Sequence, residues 1–194
     1  MKHVMAVIAT LLVGLSPAAA SAQGVLGVKG GLSYGNVSNR GLLPGPLDHR
    51  TGFAAGIALT PKGHLFGLGV EALYAQRGVS SSTASDSREL NYVDVPVYLR
   101  AALPTPGVMP FAYVGPQASF ELSCRSGTAD CPATDRPTTS YAAVLGGGVH
   151  FGMRRALSLE GRYVYGLTDL RLSTVTSSAS YKTRSFMLLA GLAF

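Results

Sequence analysis

Tyr92-Val93-Asp94-Val95-Pro96-Val97-Tyr98-Leu99-Arg100 reads as two interleaved rows. Val93, Val95, Val97 and Leu99 are apolar, whereas Tyr92, Asp94, Pro96, Tyr98 and Arg100 include both signs of charge. Successive side chains of a strand point to opposite faces, so this period of two predicts a β-strand with unlike sides. One such strand cannot stand alone, and the same alternation recurs on either side of it.

Upstream, Leu26, Val28, Leu32 and Tyr34 oppose Gly27, Lys29, Gly31 and Ser33. Phe53, Ala55, Ile57 and Leu59 oppose small residues, and Phe66, Leu68, Val70, Ala72 and Tyr74 oppose a row with Gly67, Gly69, Glu71, Ala75 and Arg77. Downstream, Ala112, Val114, Pro116, Ala118, Phe120 and Leu122 oppose Tyr113, Gly115, Gln117, Ser119 and Glu121. A sixth segment places Tyr141, Ala143, Leu145, Val149 and Phe151 against Gly146, Gly148 and His150. In the seventh, Leu157, Leu159, Tyr163 and Tyr165 face away from Ser158, Glu160 and Arg162. The eighth, Phe186 to Phe194, alternates least clearly, because Met187 and Leu189 make its second row apolar. Pro96 and Pro116 cannot donate to a ladder, so bulges are expected at both.

The links between segments fall into two kinds. Short ones follow segments two, four and six: Pro61-Lys62-Gly63, Pro104 to Pro110 and Met153-Arg154-Arg155. Longer polar stretches follow one, three, five and seven, at about 37–50, 80–88, 124–139 and 173–180. Short periplasmic turns alternating with longer outer loops are the pattern of a transmembrane barrel, and an even strand count leaves both termini on the short-turn side. The expected fold is all-β: an eight-stranded antiparallel up-and-down transmembrane β-barrel.

Composition agrees with this. Only 13% of residues are charged, about half the usual share, and glycine is abundant with 24 residues. The one long apolar run, Val4 to Leu15, is too short for a spanning helix, which needs roughly 20 residues. It follows Lys2 and precedes Ala20-Ser21-Ala22, so residues 1–22 read as a cleaved secretory signal and residues 23–194 as the barrel domain. Dense Lys/Arg blocks are missing, and with export this argues against a nucleic-acid partner.

The apolar rows are expected to face lipid, with aromatic residues near both edges of the band. The opposite rows carry Lys29, Arg77, Arg100 and Arg162 with Glu71, Asp94, Glu121 and Glu160, four of each sign. An eight-stranded barrel is just wide enough to be filled by side chains, and buried charges persist when paired. The expectation is therefore a mutually neutralised, plugged lumen.

The cleavable leader, the eight alternating segments, the Tyr92–Arg100 stretch and the terminal Phe194 together resemble the OmpA/OmpX-like and PorT-like small outer-membrane β-barrels, across essentially the whole mature chain. The resemblance implies a place in the bacterial outer membrane. It also implies that Phe186, Leu188, Leu192 and Phe194 form the signal read by the barrel-assembly machinery. Activity is not implied, since such proteins serve as anchors, adhesins, pores or lipid-acting enzymes.

Candidate chemistry is sparse. His49, His64 and His150 lie in no motif with a serine or an acid, so no enzymatic activity and no cofactor is expected. Cys124 and Cys131 in an oxidising compartment are expected to form a short-loop disulfide, a metal site needing more ligands nearby. Arg171, Lys182 and Arg184 flank the fourth long loop, as Arg40 and Arg50 border the first, and are candidates for anionic lipid such as lipopolysaccharide. The reading is a monomeric, plugged barrel with a structural or surface-interaction role. A small-solute porin is the alternative, and a lipid-modifying enzyme the third option.

Overall fold

The computed structural model describes residues 24–37, 47–61, 65–81, 88–126, 129–130, 139–151, 156–168, 170–174, 177–181 and 183–194. The export segment expected over residues 1–22 lies outside them. Eight long strands carry the alternating segments: β1 (Gly24–Val37), β2 (Leu47–Pro61), β3 (Phe66–Ser81), β4 (Arg88–Ala102), β5 (Met109–Ser126), β6 (Thr139–Phe151), β7 (Leu157–Gly166) and β8 (Thr183–Ala193).

Each strand pairs antiparallel with its sequence neighbours, and β1 pairs with β8 from Gly27↔Ala193 to Val37↔Thr183. The sheet thereby closes into an eight-stranded barrel. At the seam the Phe194 amide donates to the Leu26 carbonyl at 2.9 Å. Closure matters because an open sheet edge in hydrocarbon would leave backbone groups unsatisfied.

The two rows of every strand separate as their chemistry dictates. Leu26, Val28, Leu32, Phe53, Ile57, Leu68, Leu99, Val114, Leu145, Leu159 and Leu188 are exposed on the outside, Leu68 at 74%. So continuous an exposed apolar belt requires a non-aqueous surrounding. The inward row mixes Glu71, Asp94, Arg100, Gln117, Glu160 and Arg162 with Leu73, Val144, Met187 and Leu189, all buried. This accounts for the weak alternation of β8: Met187 and Leu189 pair in register with Arg162 and Glu160, packing the lumen beside the charges.

Tyrosine rings lie where glycine leaves room. A Cβ on Gly69 or on Gly146 would run into the ring of Tyr98 or of Tyr113 respectively. These two inward glycines thus admit large side chains from the neighbouring strands.

The prolines do not sit in bulges. The pairs Pro96↔Gln117 and Pro116↔Ala143 keep the register of the pairs on either side of them. Instead each proline coincides with a gap on one side: β3–β4 pairing lapses between Val70↔Val97 and Leu73↔Asp94, and β4–β5 pairing between Pro96↔Gln117 and Leu99↔Val114. A missing N–H removes a ladder bond without adding a residue, so the register survives. The shifts fall elsewhere, between His49 and Ala54 on β2 and between Asn91 and Tyr92 on β4.

At the short-turn end, Leu103–Val108 reverses the chain from β4 to β5, with Gly107 at φ 79° and the Leu103 amide donating to the Pro110 carbonyl at 2.9 Å. The fourth long link, expected as a polar loop, contains a hairpin of Leu170–Thr174 and Ser177–Tyr181.

Candidate functional site in the barrel lumen

Four charges meet in the middle of the lumen. They come from strands that are not all neighbours: Lys29 on β1, Glu71 on β3, and Glu160 and Arg162 on β7. The Lys29 Nζ donates to Glu71 Oε1 and to Glu160 Oε2, both at 2.7 Å. Arg162 Nη2 donates to Glu160 Oε1 at 2.8 Å and also pairs with Glu71 Oε2. Each cation is thus shared by both carboxylates, and the four charges cancel.

Two tyrosines complete the cluster. Tyr98 on β4 donates its hydroxyl to Glu71 Oε1 at 2.6 Å, and Tyr113 on β5 donates to Glu160 Oε1 at 3.0 Å. Arg162 Nε in turn donates to the Tyr113 oxygen at 2.8 Å. The two rings lie 4.5 Å apart. Charge-assisted bonds to several partners offset the desolvation that a lone buried ion would suffer. Sequence reasoning placed Tyr98 and Tyr113 on the inward row but gave them no part in the network. Each stands in register with an inward glycine, Gly69 or Gly146, a pairing set by the strand stagger that no single strand displays.

The other inward charges stand apart. Toward the long-loop end, Arg77 pairs with Asp94 on the adjacent strand and lies over the Tyr92 ring at 5.3 Å. Several buried polar atoms lack a protein partner among the described residues, including Ser33 Oγ, Asp94 Oδ1, Gln117 Oε1 and Arg162 Nη1. Buried polar groups of this kind are commonly met by water. Glu121 stands farther along β5, half-exposed and in register with Tyr92. Arg100 lies near the short-turn end, two residues before β4 finishes. The inward charges expected to neutralise one another thus divide into the central four, the Arg77–Asp94 pair, and Glu121 and Arg100 toward opposite ends.

The remaining candidates are placed as follows. Phe186, Leu188 and Leu192 form one exposed row on β8, continued by the exposed Phe194 just after it. Cys124 is buried near the end of β5, and Cys131 lies outside the described residues. Arg184 is exposed, its guanidinium 5.5 Å from the Tyr165 ring centre. Lys182 and Arg40 lie outside the described residues, as do the side chains of Arg171 and Arg50. His64 and the side chain of His49 lie outside them too, whereas His150 packs 4.7 Å from the Phe111 ring at the short-turn end.

No curated protein sequence matches this chain. Solved structures do. Neisserial surface protein A (NspA) is similar at 14% identity and a TM-score of 0.52, over 87% of this chain and 97% of that one. Ail, the attachment invasion locus protein of Yersinia pestis, is similar at 14% identity and a TM-score of 0.50, over 88% and 99%. The outer membrane enzyme PagL is similar at 11% identity and a TM-score of 0.50, over 87% and 99%. At these identities the likeness is one of fold. Residues 21–171 match the model of the outer membrane protein beta-barrel domain, and the chain belongs to that family.

Proposed function

We propose that this outer-membrane barrel acts without catalysis, as a sealed scaffold that presents its long loops at the cell surface. The observation that carries this reading is the central cluster. Lys29, Glu71, Glu160 and Arg162 bond across the lumen with Tyr98 and Tyr113, and the gaps beside them hold Leu73, Met187 and Leu189. A barrel of eight strands has room for little more than such a filling. Single-channel recording in a planar bilayer, with insertion verified separately, tests it. Inserted barrels are expected to be silent. Discrete, reproducible current steps would put the porin reading first.

That porin reading has one observation in its favour. The half of the lumen nearer the long loops holds polar atoms without a partner among the described residues, such as Asp94 Oδ1 and Gln117 Oε1, which suits a hydrated vestibule above the cluster. A lipid-modifying enzyme has less support. His150, the histidine whose side chain is described, packs on Phe111 at the short-turn end, away from the outer leaflet in the orientation proposed here.

Two proposals concern the loops. Arg171, Lys182 and Arg184 bind phosphate groups of the outer leaflet, an arrangement supported by their grouping about the fourth link and by arginine's fit to phosphate. Replacing all three with glutamine should weaken association with lipopolysaccharide vesicles in a flotation assay. Unchanged association would discard this surface. Cys124 and Cys131 form a disulfide that staples the third loop, and mass spectrometry without reductant should find the linked peptide rather than two free thiols.

A further inference from the structure

Arg100 is a buried charge that the lumen leaves without a directly bonded opposite, the Glu160 carboxylate acting on it only from longer range. It is only 3% exposed, yet among the described residues it makes no ion pair. Its Nη1 donates to the Pro61 carbonyl at 3.3 Å, and one face of the guanidinium is covered by the Phe111 ring at 4.6 Å. Among the described residues, Nε and Nη2 have no hydrogen-bond partner. These two nitrogens lie side by side along one edge of the guanidinium, the edge that matches two oxygens of a single carboxylate or phosphate.

Among the described residues, no acid supplies those oxygens. Glu160 already accepts from Lys29, Arg162 and Tyr113. Asp94 is engaged by Arg77, and Glu71 by Lys29, Arg162 and Tyr98. Glu121 is out of reach. Arg100 is in register with Tyr113, and Glu121 stands eight residues farther along the same strand, about 26 Å at the usual rise. A buried cation with a free pair of donors is costly unless an anion meets it.

We infer that the Arg100 guanidinium edge, at the short-turn mouth of the barrel, is a binding site for a small oxyanion carrying a phosphate or carboxylate group. The backbone carbonyl of Pro61 and the ring of Phe111 fix the plane of the fork, so it meets its ligand pre-oriented. His150 and Ser158, in register with each other, stand at the same end. The site adjoins the central cluster on its short-turn side, Arg100 standing in register with Tyr113, and would receive its ligand from that side, the periplasm in the orientation proposed above.

The test is a titration of the refolded, lipid-embedded full barrel with inorganic phosphate, with acetate and with chloride at matched ionic strength. The arginine Nε–H resonances are followed by NMR, that of Arg100 being identified by its loss in Arg100→Lys. The expected result is a saturable shift of the Arg100 resonance with phosphate or acetate and none with chloride. Which oxyanion acts at the lower concentration tells phosphate from carboxylate. The unfolding midpoint of the native barrel should rise with the same anion, and Arg100→Met should lose that rise. An Arg100 resonance that ignores both oxyanions, or that follows chloride equally, overturns the site without needing any variant to fold. So does an unchanged anion dependence in folded Arg100→Met.

Discussion

The middle of the lumen and its long-loop half are built from the same residue types and joined in different ways. In the middle, Lys29 on β1 reaches Glu71 on β3 and Glu160 on β7, so its two bonds tie separated parts of the wall. Arg162 repeats the pattern from β7. Nearer the loops, Arg77 and Asp94 join strands that are already hydrogen-bonded neighbours. The first grouping is a cross-brace, and the second a local pair with polar atoms to spare around it. Removing a member should therefore have unequal consequences for stability and for closure of the lumen.

Glu71→Ala should have the largest effect. Glu71 accepts from Lys29, Tyr98 and Arg162, so its loss leaves two buried cations facing one carboxylate. Breaking a buried pair in this way costs about 3–5 kcal/mol. Urea unfolding from lipid vesicles measures it, followed by far-ultraviolet circular dichroism because the chain has no tryptophan. The same variant should show current steps where the parent is silent. Glu71→Gln keeps the volume and an acceptor for Tyr98, and should lose less stability. Equal losses in the two variants would mean that charge, rather than packing, is what Glu71 contributes.

How much of this was legible in the sequence depends on the range of the interaction. The alternation that puts Lys29, Glu71, Glu160 and Arg162 on one side of their strands is local, and a period of two displays it directly. Which of them meet is not local. It depends on how the strands stagger once β1 closes onto β8, and no spacing within one strand encodes that stagger. For this reason Arg77, Arg100 and Glu121 share the inward parity of the central four and yet lie elsewhere. The prolines fail to be legible for a related cause. Pro96 visibly lacks a donor, but whether that costs a register shift or one bond depends on its partners on β3 and β5. The weak alternation of β8, visible in the sequence, follows because parity sets direction, not polarity, and Met187 and Leu189 face inward as packing.

Asp94→Asn should have the smallest effect, and it is the sharper test of the contrast. Asp94 is fully buried, but its pair with Arg77 lies toward the loop end, and the Arg77 side chain is 13% exposed. With the carboxylate gone, Arg77 keeps the Tyr92 ring beneath it and can turn toward water. Asparagine retains an oxygen acceptor in the same place. The expected loss is about 1–2 kcal/mol, the range for one charged hydrogen bond whose remaining partner can be solvated. Because the central brace is untouched, the variant should conduct no more than the parent. A loss as large as that of Glu71→Ala would mean that the loop-side pair also braces the wall. Current steps in Asp94→Asn would mean that the seal extends past the central four charges to the loop-side layer, which would then have to be counted as part of the plug.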